Sequence, residues 1–289
     1  MILLTGAAGK TGRAVLNALL KRDEKVRVMV KNKDQAAELT RIGAFSAVVG
    51  DMTEQTLFDH AMKDVVSVYH ICPNMHPEEF QIGRNAISAA QENKVEHFVY
   101  HSVLHPHTEK MTHHWNKMRV EEILFESGLR YTILQPAAYM QNILVYKESI
   151  IEKGVYAIPY PVETSVSMVD LLDVAKAAAV VLTEPGYKEA VFEIVGTRAL
   201  TQSEVAALFT RVLEKQVTVN EMPREEWLQV ARCQGLDQYA INNLVNMFDY
   251  YAAYGFSGNN FVLKQILGRD PHNFSSFISR EFLRLGQHN

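Results

Sequence analysis

The chain has 289 residues, with 29 Lys and Arg against 33 Asp and Glu, 11 His and two Cys. A net charge of −4 gives no basic footprint for nucleic acid, no apolar run approaches the ~20 residues of a membrane helix, and Cys72 and Cys233 are too few for a disulfide framework. With 47% hydrophobic residues the chain can bury a full core, as one large domain or two small ones, and its thiol content suits a reducing, cytoplasmic setting. The opening MILLTGAAGK has neither the basic flank nor the cleavage site of a secretory signal, and its first apolar run begins at Ile2.

Residues 2–5 (ILLT) read as a buried strand. Residues 11–21 follow with helical spacing, which sets Val15, Leu16, Leu19 and Leu20 on one face. The alternation continues with strand 26–30, helix 34–42, strand 45–50, helix 54–62, strand 65–71, helix 78–93, strand 97–102, helix 113–127 and strand 130–135. Phe80, Ile82, Ile87 and Ala90 form the apolar side of helix 78–93. Strands separated by helices of this length build βαβ units and a parallel sheet. The strands are apolar almost throughout, as expected where helices cover both faces. The expected fold is α/β: a Rossmann-type doubly wound parallel sheet, centred on the first strand, with a smaller, mostly helical substrate-side domain. Ligands of such sheets sit outside the carboxyl ends of the strands, so functional residues should follow each strand.

Beyond about residue 150 the alternation loosens. Residues 169–182 are a helix and 190–196 one more strand, both expected to return to the first sheet. Thr201, with Glu204 three residues on, makes a capping box for a helix to Leu213, and 222–289 is mostly helical with breaks at Gly235, Gly255 and Gly258. The reading assigns 1–153 to a nucleotide-binding domain and 154–289 to the smaller one.

The first strand runs into Thr5-Gly6-Ala7-Ala8-Gly9-Lys10-Thr11-Gly12, and a helix follows. In this G-x-x-G-x-x-G loop Gly6 permits the tight turn, Gly9 lets the backbone approach a pyrophosphate, and Gly12 lets helix and strand pack closely. Ala8, Lys10 and Thr11 complete the loop at the positive end of the helix dipole. The spacing of a Walker A loop is absent. After the second strand, where an NAD site usually carries an acid for the ribose 2′-hydroxyl, this chain has Lys31-Asn32-Lys33. Lysine attracts a 2′-phosphate, so the expected cofactor is NADP, with NADPH preferred over NADH.

With TGAAGKTG at 5–12, VKNKDQA at 31–37, GDMTEQTL at 50–57, HFVYHSVLH at 97–105, HHWNKMRVEEIL at 113–124, YTILQPAAYMQN at 131–142 and VDLLDVAKAAAVVL at 169–182, the chain resembles the NmrA-like branch of the atypical short-chain dehydrogenases/reductases. The resemblance covers nearly the whole length. It implies a Rossmann domain, a smaller substrate-side domain and an NADP-type dinucleotide. That family includes NAD(P)H-dependent reductases of quinones, azo compounds and triarylmethane dyes, and also non-enzymatic redox sensors that regulate transcription factors. By position, the resemblance implies that Asp51 and Met52 flank the adenine. Cys72, Pro73 and Asn74 would line the nicotinamide-side ribose, His101 and Ser102 would sit beside the nicotinamide, and Pro136 and Tyr139 near its carboxamide.

Ordinary short-chain dehydrogenases carry Tyr-x-x-x-Lys, which sets both side chains on one helix face. Here the stretch is His113-His114-Trp115-Asn116-Lys117, so His113 stands at the tyrosine position and Lys117 at the lysine position. Lys117 is assigned to the cofactor ribose. His113 is either a proton relay, with an imidazole pKa that Lys117 would push down, or a plain lining residue. Six of the eleven histidines fall between 97 and 114, but their spacing matches no zinc signature, so no metal is expected.

On the substrate side, Tyr139, Met140 and Tyr146 follow the sixth strand. The aromatic run of Phe248, Tyr250, Tyr251, Tyr254, Phe256 and Phe261 offers Tyr251 and Tyr254 as a wall over a planar acceptor, or else as core of the small domain. The leading function is hydride transfer from NADPH to a quinone-like or other conjugated small molecule. The alternative is an NADP(H)-sensing regulator that binds a protein partner without turnover. A nucleotide-sugar epimerase is a third reading, disfavoured by the missing tyrosine. No nucleic acid or membrane partner is expected, and a homodimer is left open.

Overall fold

The computed structural model describes residues 1–283. The chain divides into two compact units, one of residues 1–136 and 174–193, the other of residues 137–173 and from 194 onward. The sequence reading set the division at 153 and the return at 169–196.

The first unit alternates strand and helix: β1 (Ile2–Leu4), α1 (Lys10–Leu20), β2 (Val26–Val30), α2 (Lys33–Ile42), β3 (Ser46–Val49), α3 (Gln55–Ala61), β4 (Ser67–His70), α4 (Glu79–Glu92), β5 (His97–His101), α5 (Thr112–Glu126) and β6 (Tyr131–Pro136). The chain then enters the second unit through β7 (Ala138–Tyr139), a 3-10 turn (Met140–Tyr146), α6 (Lys147–Lys153), β8 (Val155–Ile158) and β9 (Met168–Val169). It returns along α7 (Leu171–Thr183) and β10 (Ala190–Ile194). It finishes in α8 (Gln202–Leu213), β11 (Thr218–Glu221), α9 (Arg224–Cys233), α10 (Gln238–Tyr254), α11 (Phe261–Leu267) and α12 (Phe274–Phe282).

Seven strands form one sheet in the order β10-β6-β5-β4-β1-β2-β3. Adjacent strands pair in parallel, with Ile2 opposite Val26 and Ser67, and Phe98 opposite Tyr131. The order reverses at β1 and β4, the switch point beside which a doubly wound sheet opens its crevice. The middle place belongs to β4, and β1 lies next to it. The sequence reading had centred the sheet on β1, because strand order depends on crossovers that local pattern does not encode. Leu3, Met29, Val68, Phe98 and Ile133 are buried in a core shared with Phe58, Ile82, Ala86, Val120 and Leu124 of the helices. Two-sided burial explains why these strands are apolar without alternation.

Helices α4 and α5 approach closely on this sheet. At Gly83 of α4 an added Cβ would lie 2.6 Å from Val120 Cγ1 of α5. Only a glycine lets the helix backbone come so near a branched side chain.

In the second unit β8 pairs in parallel with β11, and β7 with β9. These four strands are absent from the sequence reading. Two to four residues cannot display a period, and Thr218 finds its partner Val155 far along the chain. The capping box at Thr201 and Glu204 is formed, and Gly235 and Gly255 follow the ends of α9 and α10. Phe209 packs edge-on against Phe274 and Phe282. Buried Asp170 and Asp173 anchor Arg280 and Arg269 at 2.7 and 2.6 Å.

Gly83→Ala should destabilise the protein by about 1–2 kcal/mol, the overpacking cost exceeding the ~1 kcal/mol gained in helix propensity. Urea unfolding would measure this. Adding Val120→Ala should recover part of the loss, since it removes the atoms that the new methyl group meets.

Candidate active site

The phosphate loop is shaped by what its glycines lack. Gly6 has φ +60°, and a Cβ there would meet Ile71 O at 2.9 Å. A Cβ on Gly12 would meet Gly6 O at 2.2 Å, so the start of α1 lies against the turn. Gly9 is exposed and a Cβ there would be in ordinary contact only, while its N–H closes the turn by donating to the Gly6 carbonyl at 3.1 Å. Gly9 caps α1 with no side-chain hydrogen bond, and the first turn has no acid. Helix α1 thus starts with neither a capping side chain at Gly9 nor an acid in its first turn, as a pyrophosphate site requires. The Ala8 carbonyl is braced by Arg13, whose guanidinium also grips Glu38 at 2.6 and 2.7 Å. Beneath the loop, the buried Thr5 hydroxyl accepts the Ile71 N–H at 2.8 Å and lies 3.0 Å from His70 Nδ1. This geometry fits a dinucleotide.

Beyond β2, Lys31 and Lys33 are exposed, and Asn32 between them caps α2 by accepting the Gln35 N–H. Beyond β3, Asp51 is exposed. Its carboxylate accepts the N–H and hydroxyl of Thr53, which hold its pKa below the usual range. Met52 is buried. Beyond β4, Cys72 is buried, Pro73 half-buried and Asn74 exposed. Burial first, and then the nearby Glu79 charge, push the Cys72 thiol up.

The deepest chemistry lies between α4 and α5. Lys117 Nζ donates to Glu79 Oε1 at 2.6 Å and to the His101 carbonyl at 3.3 Å. His113 Nδ1 stands 3.3 Å from the other oxygen, Glu79 Oε2. All three side chains are buried, Glu79 to 1% exposure. Burial works against the Glu79 charge, but Lys117 and His113 outweigh it and hold the carboxyl at about 2. The sequence reading had Lys117 acting on His113 unopposed, whereas a carboxylate touches both.

Two turns along α5 from His113, buried Glu121 accepts Gln135 Nε2 on both oxygens at 3.0 Å and takes the Ser102 hydroxyl. Its pKa is raised, by burial. His101 is buried against the Tyr69 hydroxyl, 2.7 Å from Nδ1. The buried carbonyl of Pro136 accepts the Leu104 N–H. The first unit therefore brings Lys117, His113, Ser102 and His101 to the carboxyl side of β5, as the βαβ argument expects.

The sequence reading missed Glu79, Glu121 and Arg13. The signal for Glu79 was available. It shares the helical stripe of Ile82, Ala86 and Ala90, and a lone acid on an apolar face needs a partner.

The remaining candidates lie in the second unit. Tyr139 sits half-buried on β7, and Met140 is fully buried. Tyr146 meets Tyr156 edge-on at 5.5 Å, and burial pushes its phenol up to about 12. Tyr251 is buried and stacked on Phe256 at 4.7 Å, so it belongs to the core of its unit. Tyr254 is exposed and packs on Tyr250. Among the described residues no three His, Cys, Asp or Glu side chains are grouped to hold a metal ion. No helix there is long and apolar enough to cross a membrane.

The NmrA-like family profile matches residues 1–279, and the chain belongs to that family. An NAD(P)H azoreductase of Xenophilus azovorans is 27% identical over 291 residues, covering 99% of each chain. Quinone oxidoreductase 2 of Escherichia coli is 25% identical and covers 98% of this chain and 99% of its own length. The crystal structure of the NADPH-dependent quinone oxidoreductase QOR2 from that organism, complexed with NADPH, matches with a TM-score of 0.85 at 26% identity, over 98% of this chain and all of the other.

Burial holds the imidazoles of His70, His101 and His114 at about 3 and that of His97 at about 4. Each lies below the 6.5 of free imidazole, so the unfolded chain binds more protons below about pH 6.5. Stability is full above that pH and falls as pH drops from 6.5 towards 4, by on the order of 1 kcal/mol per imidazole per pH unit. The Glu79 contribution is present above about pH 4.5 and is lost separately, as pH falls towards 2. Urea unfolding between pH 8 and 5 should show the decline starting near 6.5; a flat profile would exclude four buried neutral imidazoles.

Proposed function

We propose that the chain is an NADPH-dependent reductase that passes hydride to a quinone-like or other conjugated small molecule. The observation that carries this reading is the buried pairing of Lys117 with Glu79 and His113 at the carboxyl end of a sheet that also carries an uncapped glycine loop. The likeness to an azoreductase and to a quinone oxidoreductase that binds NADPH supports it.

When bound, the reduced nicotinamide supplies the hydride. The chain's own residues bind, orient and handle the proton. Gly6, Gly9 and Gly12 shape the turn, the Gly9 N–H closing it on the Gly6 carbonyl, and the loop of Ala8, Lys10 and Thr11 at the start of α1 holds the pyrophosphate. Lys31 and Lys33 meet the 2′-phosphate, while Asp51 and Met52 flank the adenine. An ammonium has three donors, and Glu79 and the His101 carbonyl take two from Lys117. The third serves a ribose hydroxyl. Cys72, Pro73, Asn74, Ser102 and Pro136 form the nicotinamide side; within the second unit Tyr139, Met140, Tyr146 and Tyr254 are the candidates for binding the acceptor. His113 exchanges the proton that accompanies the hydride. A conjugated acceptor spreads the incoming electron pair, which is why a tyrosine acid is dispensable. The setting is cytoplasmic.

Purified protein should oxidise NADPH in the presence of at least one member of a panel of quinones, azo dyes and triarylmethane dyes. Tight NADPH binding without turnover of any acceptor would instead favour the NADP(H)-sensing regulator. Lys31→Ala should raise the Kd for NADPH by about tenfold, equivalent to ~1.4 kcal/mol, and leave that for NADH unchanged. Equal weakening of both, by calorimetry, would remove Lys31 from the 2′-phosphate site.

A further inference from the structure

We infer that Glu79 is a positioning residue for proton transfer: it fixes the tautomer of His113, so that Nε2 is the nitrogen that exchanges the proton with the acceptor. This deepens the reductase reading and rests on it. The inference starts from the two faces of one carboxylate. Oε1 is taken by Lys117 at 2.6 Å, and Oε2 faces His113 Nδ1 at 3.3 Å. An ionised carboxylate only accepts, so the imidazole must carry its proton on Nδ1 to make this contact. Nε2 is then the one ring nitrogen left for exchange. A carboxylate behind an imidazole sets ring orientation and tautomer in the same way at many sites.

The surroundings keep Glu79 in this role. It is ionised, because Lys117 neutralises it within the buried site. It is held on α4 at a fixed distance from α5, because Gly83, one turn on, lets α4 close on Val120. Among the described residues the charged and titratable groups set against His113 include Glu79 on α4, Lys117 one turn on along α5, and the His114 ring edge-on at 6.0 Å. His101 and Tyr100 of β5 and Cys72 after β4 border the Glu79–Lys117 pair. Burial keeps His101 and His114 neutral, so neither competes with Glu79 as an ionised partner.

The proton balance follows. The doubly protonated imidazole gives its Nε2 proton to the acceptor oxygen or nitrogen. The electron pair for that new bond's atom arrives with the hydride from the reduced dinucleotide. His113 is left neutral, its Nδ1–H still directed at Glu79 Oε2, and solvent restores the proton at Nε2. Glu79 touches neither acceptor nor hydride. It stabilises the charged ring and keeps the neutral ring in one form.

The test reads the ring directly. In protein labelled with nitrogen-15 at histidine and saturated with NADP, the neutral His113 ring should show a protonated Nδ1 and a bare Nε2. Glu79→Gln should shift that ring towards the Nε2-protonated form, because the amide can donate to Nδ1. Glu79→Asp, which keeps the charge, should retain the wild-type pattern. In turnover, Glu79→Gln should lower kcat roughly tenfold with the acceptor KM within about twofold. Glu79→Asp should recover most of it. A merely structural Glu79 would alter stability and NADPH binding without moving the tautomer. An Nε2-protonated ring in the wild type, or an unchanged tautomer in Glu79→Gln, would overturn the inference. Should Glu79→Gln fail to fold, the wild-type and Glu79→Asp spectra still decide it. If no acceptor is turned over, the reductase reading fails, and the tautomer result separately reports whether Glu79 controls His113.

Discussion

The ion pair between Glu79 and Lys117 is the constraint around which the first unit is organised. Two charges removed from water cost several kcal/mol each unless they meet with good geometry and further hydrogen bonds. Both conditions hold here. Lys117 has a carboxylate and a carbonyl, and Glu79 has an ammonium and an imidazole. That arrangement fixes the spacing of α4 and α5, and the spacing requires glycine at position 83. It also fills the space between the helices and the carboxyl ends of β4 and β5 with charge. The neighbouring groups therefore stay uncharged: His70 and His101 as neutral rings and Cys72 as a thiol, each through burial in the first place. One paired charge is compatible with that interior, and a second unpaired one is not.

The nucleotide end of the same sheet is built on the opposite principle. There the structure supplies what is missing rather than what is paired. Gly6 and Gly12 have no Cβ where one would collide with Ile71 O and Gly6 O, and α1 begins without a capping side chain. The result is a tight turn closed by the Gly9 N–H on the Gly6 carbonyl, kept in shape by Thr5 and by Arg13. Electrostatics in this part come from the helix end, and in the α4–α5 part from side chains. The two parts share β1 and β4, which are paired through Leu3 and Val68.

Much of this was legible in the sequence. The βαβ order and the glycine loop emerged because each depends on local spacing: buried runs for strands and 3.6 for helices; His113 and Lys117 were singled out by their match to the Tyr-x-x-x-Lys pair of the short-chain dehydrogenases that the chain resembles. The strands of the second unit were not legible, since Val155 and Thr218 pair across a long stretch of chain and are too short to pattern. Glu121 was passed over for a different reason. Four residues beyond Lys117, on an otherwise charged helix, it reads as a solvated acid. Only the sheet shows that Ser102 and Gln135 meet it. Tyr251 shows the converse limit. Its place in an aromatic run allowed a substrate wall as well as core, and its burial and stacking on Phe256 mark it as core.

The replacement of tyrosine by His113 has a physical consequence that follows from Glu79. A Tyr-x-x-x-Lys pair works because an unneutralised ammonium favours the phenolate next to it. Here the ammonium is already met by a carboxylate at 2.6 Å, so its field would do little for a phenol. The same carboxylate is what an imidazole needs, since it supports the charged ring and orients the neutral one. Histidine at position 113 and glutamate at position 79 are therefore consistent with each other in a way that tyrosine and glutamate would not be. A phenol's proton would have to be given up beside a negative charge, which raises its pKa, as happens at buried Tyr100, where the Glu79 charge adds to the effect of burial. His113 on α5 is thus supported by Glu79 on α4, so the chemistry of the pair depends on both helices.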